Sequence, residues 1–108
     1  MKQAMEDSGL FKMYMKKYDT EGQIIIAVCD KEIIGKDFAE GELVLKLDES
    51  FYRGDESSEN DVKEALSCAT IANIAGKRSI ACAVNCGCID PDTIIFIGGV
   101  PHAQMVKI

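Results

Sequence analysis

Residues 58–87 read SENDVKEALSCATIANIAGKRSIACAVNCG, and the fold turns on how this stretch is divided. Ser58 followed three positions later by Asp61 resembles a helix capping box, and the acidic first turn suits the positive end of a helix dipole. Val62, Ala65, Leu66, Ala69, Ala72 and Asn73 mark one helical face by their spacing. That periodicity predicts a first helix running from Ser58 through Ala75, with Gly76 as its C-terminal stop. Ile80, Ala81, Ala83 and Val84 continue the helical spacing and predict a second helix over 77–86, ended by Gly87. Both are rich in Ala, Cys and Ser, which allows close packing against each other or against a sheet.

Outward from this stretch the period changes to two. Residues 11–18 (FKMYMKKY) place Phe11, Met13 and Met15 on one side and Lys12, Tyr14 and Lys16 on the other, the pattern of a half-buried strand. Thr20-Glu21-Gly22 then makes a tight connection into QIIIAVC (23–29), a β-branched run that predicts the second strand of a hairpin. Residues 30–41 lack sustained periodicity and read as an irregular crossing segment. Residues 42–48 (ELVLKLD) alternate again, with Leu43, Leu45 and Leu47 inward. Residues 50–60 form a polar, acidic loop that carries the adjacent aromatics Phe51 and Tyr52. After the helices, Asp90-Pro91-Asp92 is a turn, 93–97 a buried strand, Gly98-Gly99-Val100-Pro101 a second turn, and 103–108 a short final strand. Three strands, two helices and one or two more strands define an α+β domain: a small mixed sheet of four to five strands with two consecutive helices packed on it.

A chain of 108 residues holds one such domain, placed at 11–108, and can bury an adequate core without staples. Residues 1–10 lack the apolar stretch of a signal peptide and read as a loose polar extension; the cytoplasm is the expected location. No apolar run approaches the ~18 residues of a membrane span, so no membrane partner is expected. The net charge of −6 is concentrated: residues 37–64 carry three basic against ten acidic groups. That balance disfavours broad binding to a phosphate backbone through this segment.

Five cysteines are an odd count and no disulfide framework. Cys82 and Cys86 share a helical face and Cys88 follows closely, but a zinc site needs four ligands. The sole histidine, His102, or Cys68 would have to complete one, and the second close pair that marks a zinc site is missing. The expectation is therefore inert structural thiols, no metal ligands and no cofactor. Neither G-x-G-x-x-G nor G-x-x-x-x-G-K-[ST] occurs. Gly35-Lys36 and Gly76-Lys77-Arg78 are the nearest approaches, and Lys77 and Arg78 would open a helix whose free N–H groups attract anions. Asn73 is a polar amide among alanines and isoleucines, which must find partners if buried. The turn Gly98-Gly99-Val100-Pro101-His102-Ala103-Gln104 collects two glycines, the histidine and an amide after a buried strand.

The strings Ile34-Gly35-Lys36-Asp37-Phe38-Ala39-Glu40-Gly41-Glu42-Leu43, Phe51-Tyr52-Arg53-Gly54, Ala69-Thr70-Ile71-Ala72-Asn73 and Gly98 through Gln104 together resemble the archaeal domain-of-unknown-function family 424 over about residues 11–105. The resemblance implies a small, single-domain archaeal cytoplasmic protein with no assigned reaction, and a loose association with translation. The first functional expectation is a non-enzymatic binding module for a protein or ribonucleoprotein. Its contact candidates are His102, Gln104, Gly98, Gly99, Asn73, Lys77, Arg78, Lys36, Phe51 and Tyr52. One alternative is a small enzyme with His102 as acid–base and an anion site at Lys77-Arg78 for a phosphorylated substrate; another is a small structural-metal protein.

Overall fold

The alternation near the start of the chain folds into a hairpin. β1 (Met13–Thr20) and β2 (Gln23–Asp30) pair antiparallel, with Thr20 opposite Gln23 across the two-residue turn Glu21-Gly22. The structure is a computed structural model and describes residues 11–107; the extension expected at 1–10 lies outside the described residues. The crossing segment is more ordered than its sequence suggests. A 3-10 turn (Lys31–Ile33) leads to β3 (Asp37–Glu40), which pairs with β4 (Leu43–Lys46) as a separate two-stranded sheet. Leu45 and Leu47 are buried as expected, but Leu43, beside the Gly41-Glu42 turn, is exposed. The acidic loop also contains structure: α1 (Glu49–Tyr52) and β5 (Asp55–Ser57), the latter paired with β1.

The main departure lies in the central stretch. α2 (Glu59–Cys68) begins with the expected capping box, Ser58 Oγ accepting from Asp61 N and the Asp61 carboxylate from Ser58 N, both at 3.1 Å. It ends seven residues short of Ala75, because Ala69 is extended (φ −76°, ψ 147°) and the chain enters β6 (Ile71–Ala75). Thr70 secures the change of course: its N–H donates to the Ile24 carbonyl at 2.8 Å and its hydroxyl accepts from Ile24 N at 2.9 Å. Thr70, Ile71 and Ile74 are β-branched and suit the pleat better than a helix. As a strand, 71–75 gains ladder bonds on both sides and buries Ala72, Ile74 and Ala75 completely; a continued helix would bury one face only. Gly76 is thus no helix stop but precedes α3 (Lys77–Asn85).

β7 (Ile95–Ile97) is shorter than expected and not buried throughout: it forms an edge, with Ile95 and Phe96 exposed and Ile97 inside. A tight Gly98-Gly99 turn returns the chain as β8 (Val100–Val106), longer than the final strand expected at 103–108. The result is a six-stranded sheet in the order β5-β1-β2-β6-β8-β7, larger than four to five strands. It is mixed, because β2 and β6 run parallel while all its other pairs are antiparallel.

Two layers cover the sheet. On one face α2 and α3 enclose Met13, Ile26, Val28, Leu66, Ile74, Ala83 and Met105. Truncating a wholly buried leucine such as Leu66 to alanine costs about 2–5 kcal/mol. The other face is covered at one end by the β3–β4 hairpin and α1, with Ala27, Cys29, Leu47, Tyr52, Ala75 and Ile97 beneath them. The rest of that face is where the site lies.

Candidate functional site

Register decides which side chains meet. Across β2, β6 and β8, the alignments Ala27–Asn73–Gln104 and Ile25–Ile71–Val106 form neighbouring rows on the face away from α2 and α3. A third row, Cys29–Ala75–His102–Ile95, runs toward the covered end. Three of the sequence candidates, Asn73, His102 and Gln104, therefore share one sheet face although 29 positions separate Asn73 from His102. Gln104 and Val106 are exposed, Ile25, Ile71, Asn73 and His102 half-buried.

The polar groups of this face are oriented. Gln104 Nε2 donates to Asn73 Oδ1 at 2.8 Å, which leaves the Asn73 amide as donor and Gln104 Oε1 as acceptor for a further group. His102 Nδ1 lies 3.1 Å from the Ile74 carbonyl. A carbonyl only accepts, so the proton sits on Nδ1 and Nε2 is the acceptor of a neutral ring. Burial holds the imidazole pKa below its ordinary value, outweighing the upward pull of the Ile74 hydrogen bond. Beyond Ile25, in the adjoining β1 position, Tyr18 stacks on Phe51 with ring centroids 5.4 Å apart. The Tyr18 hydroxyl also donates to the Phe51 carbonyl at 2.9 Å and pins α1 to the sheet.

The remaining candidates lie elsewhere. Tyr52 is a core residue rather than a loop contact; burial, with Cys29 and Asp48 nearby, pushes its phenol up to about 12. Gly98 N donates to Glu40 Oε1 at 2.8 Å, so this turn holds the β3–β4 hairpin. Lys36 is exposed next to that hairpin. The anion site foreseen at the start of α3 already has an occupant from the chain itself. Asp30, 2% exposed at the end of β2, accepts from Arg78 N at 3.0 Å, Ser79 N at 2.9 Å and Ser79 Oγ at 2.8 Å. Arg78 turns its guanidinium to Glu32, whose carboxyl is held below its ordinary range although burial acts the other way. Lys77 and Gly99 do line a small cavity of about 150 Å³ beside Asp30, Glu32 and Pro101, but His102 and Asn73 are not among its walls.

Sequence reading missed Asp30, Ile25, Ile71 and Val106. The β-branched residues Thr70, Ile71 and Ile74 were the signal available: read as a strand, the segment puts Ile71 and Asn73 on one face. Thiol placement differs from expectation too. Cys29 and Cys82 are buried, Cys68 is exposed, and Cys86 meets Cys88 rather than Cys82. Among the described residues no three His, Cys, Asp or Glu side chains gather in a way that would hold a metal ion. None of the described helices is long and apolar enough to cross a membrane.

Fold and face together define a small α+β protein whose mixed sheet is backed by helices on one side and half open on the other. The chain belongs to the family described as protein of unknown function (DUF424), whose model matches residues 18–108. Among solved structures it is similar to an uncharacterized conserved protein from Methanopyrus kandleri, an archaeon. The two share 24% sequence identity and a TM-score of 0.72, with 86% of this chain and 89% of that chain covered. This likeness bears on the fold alone. No curated protein matches the chain.

Proposed function

We propose that the chain is a non-enzymatic binding module, and that its contact surface is the open half of the sheet around Asn73, His102 and Gln104. The observation that carries this reading is the convergence of these three side chains with Ile25, Ile71 and Val106 on a face that the other described residues leave partly uncovered. Oriented amide and imidazole groups set among aliphatic side chains suit a protein surface, where apolar contact gives affinity and a few polar groups fix orientation. The partner proposed is a protein component of the translation apparatus or another ribonucleoprotein, in the cytoplasm. An enzyme acting on a phosphorylated substrate has less support, because His102 is not among the walls of the cavity that Lys77 lines and Asp30 takes the Arg78 and Ser79 N–H groups an anion would need.

The test is sedimentation of the untagged protein from its own cell lysate through a sucrose gradient at low and high salt. Co-migration with a ribosomal subunit or other large particle at both salts is expected for a contact made by apolar and amide groups. Migration as a free small protein at both salts overturns the reading. Co-migration lost steeply with salt would indicate phosphate contacts instead and overturn the assignment to this face of apolar and amide groups.

A further inference from the structure

At the end of α3 the backbone bends back on itself. The Gly87 N–H donates to the Val84 carbonyl at 3.0 Å and the Cys88 N–H to the Ala83 carbonyl at 2.9 Å, the paired bonds of a Schellman motif. Gly87 holds φ +80°, a left-handed conformation that suits glycine. The bend turns the side chains on either side of Gly87 toward each other, and Cys86 Sγ lies 3.1 Å from Cys88 Sγ. Both thiols are partly exposed, and they line a surface recess of about 450 Å³ with Ser67, Met105 and Lys107. Lys107 reaches across to the Ser67 carbonyl at 3.2 Å and supplies the positive charge there.

From this geometry we infer that Cys86-Gly87-Cys88 is a reversible dithiol–disulfide site that exchanges with an external disulfide, either a small molecule or a protein. One thiol of the pair loses its proton and attacks a sulfur of the external disulfide. The external S–S bond breaks, a mixed disulfide forms, and the first leaving thiolate departs with the electron pair. The second thiol of the pair, also deprotonated, attacks the protein sulfur of that mixed disulfide, closing the Cys86–Cys88 bond and releasing the other thiolate. The chain is oxidised by two electrons and loses two protons, and the external disulfide becomes two thiols. Burial and the neighbouring Cys86 push the Cys88 thiol up to about 11 while Lys107 pulls the other way, so exchange accelerates as pH rises. A disulfide closed across a single residue is constrained, which makes it readily reduced and suited to switching rather than to structural stapling.

The test treats the native, full-length protein with oxidised glutathione, blocks free thiols under denaturing conditions and locates each modification by mass spectrometry. The expected result is loss of two hydrogens at Cys86 and Cys88, reversed by dithiothreitol, while exposed Cys68 carries a glutathione adduct and reports that the reagent is active. Persistence of both Cys86 and Cys88 as blockable thiols, or as two separate adducts, overturns the inference. Cys88→Ser is expected to retain a glutathione adduct on Cys86, and Cys86→Ser one on Cys88. An internal disulfide that survives in either variant would show that the pairing is wrong.

Discussion

Asp30 is the residue on which the junction between sheet and helices depends. Its carboxylate closes β2 and caps α3 at once, receiving two backbone N–H groups and the Ser79 hydroxyl in a buried setting. Gly76 lies against it so closely that a Cβ there would stand 2.5 Å from the Asp30 carboxyl carbon, at a φ of +105°. Asp30→Ala leaves Ser79 and the first turn of α3 without an acceptor, and a loss of about 3 kcal/mol is expected from cap and desolvation terms together. Urea unfolding of the variant measures it; a loss within error of zero would mean that α3 is not held by this contact. His102 gives a second expectation. Its folded-state pKa lies below the ordinary 6.5, so the unfolded chain takes up a proton at a higher pH than the native one does. Stability is therefore fully present above pH 6.5 and is lost as pH falls through the lower folded value. Urea midpoints measured between pH 7.5 and about 5 should show that decline, and His102→Asn, which retains a donor toward Ile74, should flatten it.

At the scale of elements, the central strand is the part whose stability differs most from its sequence signal. β6 lies between β2 and β8, with helices over one face, whereas β3 and β4 pair only with each other. Amide hydrogen exchange should find Ile74 and Ala75 among the slowest amides and the β3–β4 hairpin among the faster ones. Uniform protection across both sheets would contradict that ordering. Thr70→Val, which removes the hydroxyl bonded to Ile24, should cost roughly 1 kcal/mol and speed exchange in the strand that follows. The same strand explains what was legible beforehand. The β1–β2 hairpin, the capping box at Ser58 and the second helix were readable because each is specified by near neighbours: alternation, a cap and helical spacing. Residues 69–75 satisfy helical spacing equally well, since Ala69, Ala72 and Asn73 fall on one helical face. What decides against a helix is pairing with Ile24 on one side and Gln104 on the other, and no local pattern carries those partners. The site was legible in the same partial way. Asn73, His102 and Gln104 stood out by residue type, but only the register of β6 against β8 puts them together, and Asp30 gave no signal before its helix was in place.

For the molecule as a whole, the charge distribution and the open face belong to one arrangement. The acidic segment 37–64 supplies the β3–β4 hairpin, α1, β5 and the first half of α2. Among the residues of the rows across β2, β6 and β8 the ionisable side chains are His102 and the buried Cys29. Lys16, which continues the Ala27 row on β1, is tied by its ammonium to the Ser50 carbonyl. A sparsely charged, partly apolar patch on an otherwise acidic body is the combination by which a protein surface selects short-range fit over general electrostatic attraction. Val106, at 65% exposure, and Gln104 contribute little to the fold, so Val106→Asp and Gln104→Arg should change unfolding free energy by no more than about 0.5 kcal/mol. Each places a charge in the middle of a contact that buries apolar and amide groups, for which a loss of about 2 kcal/mol, or roughly thirtyfold in affinity, is expected. Co-sedimentation of the two variants, read beside their urea midpoints, separates a binding role from a structural one. Intact folding with loss of the particle-bound fraction assigns the function to this face. Intact folding with that fraction unchanged moves the contact to another surface, of which the Lys77 end of α3 would be the next to substitute.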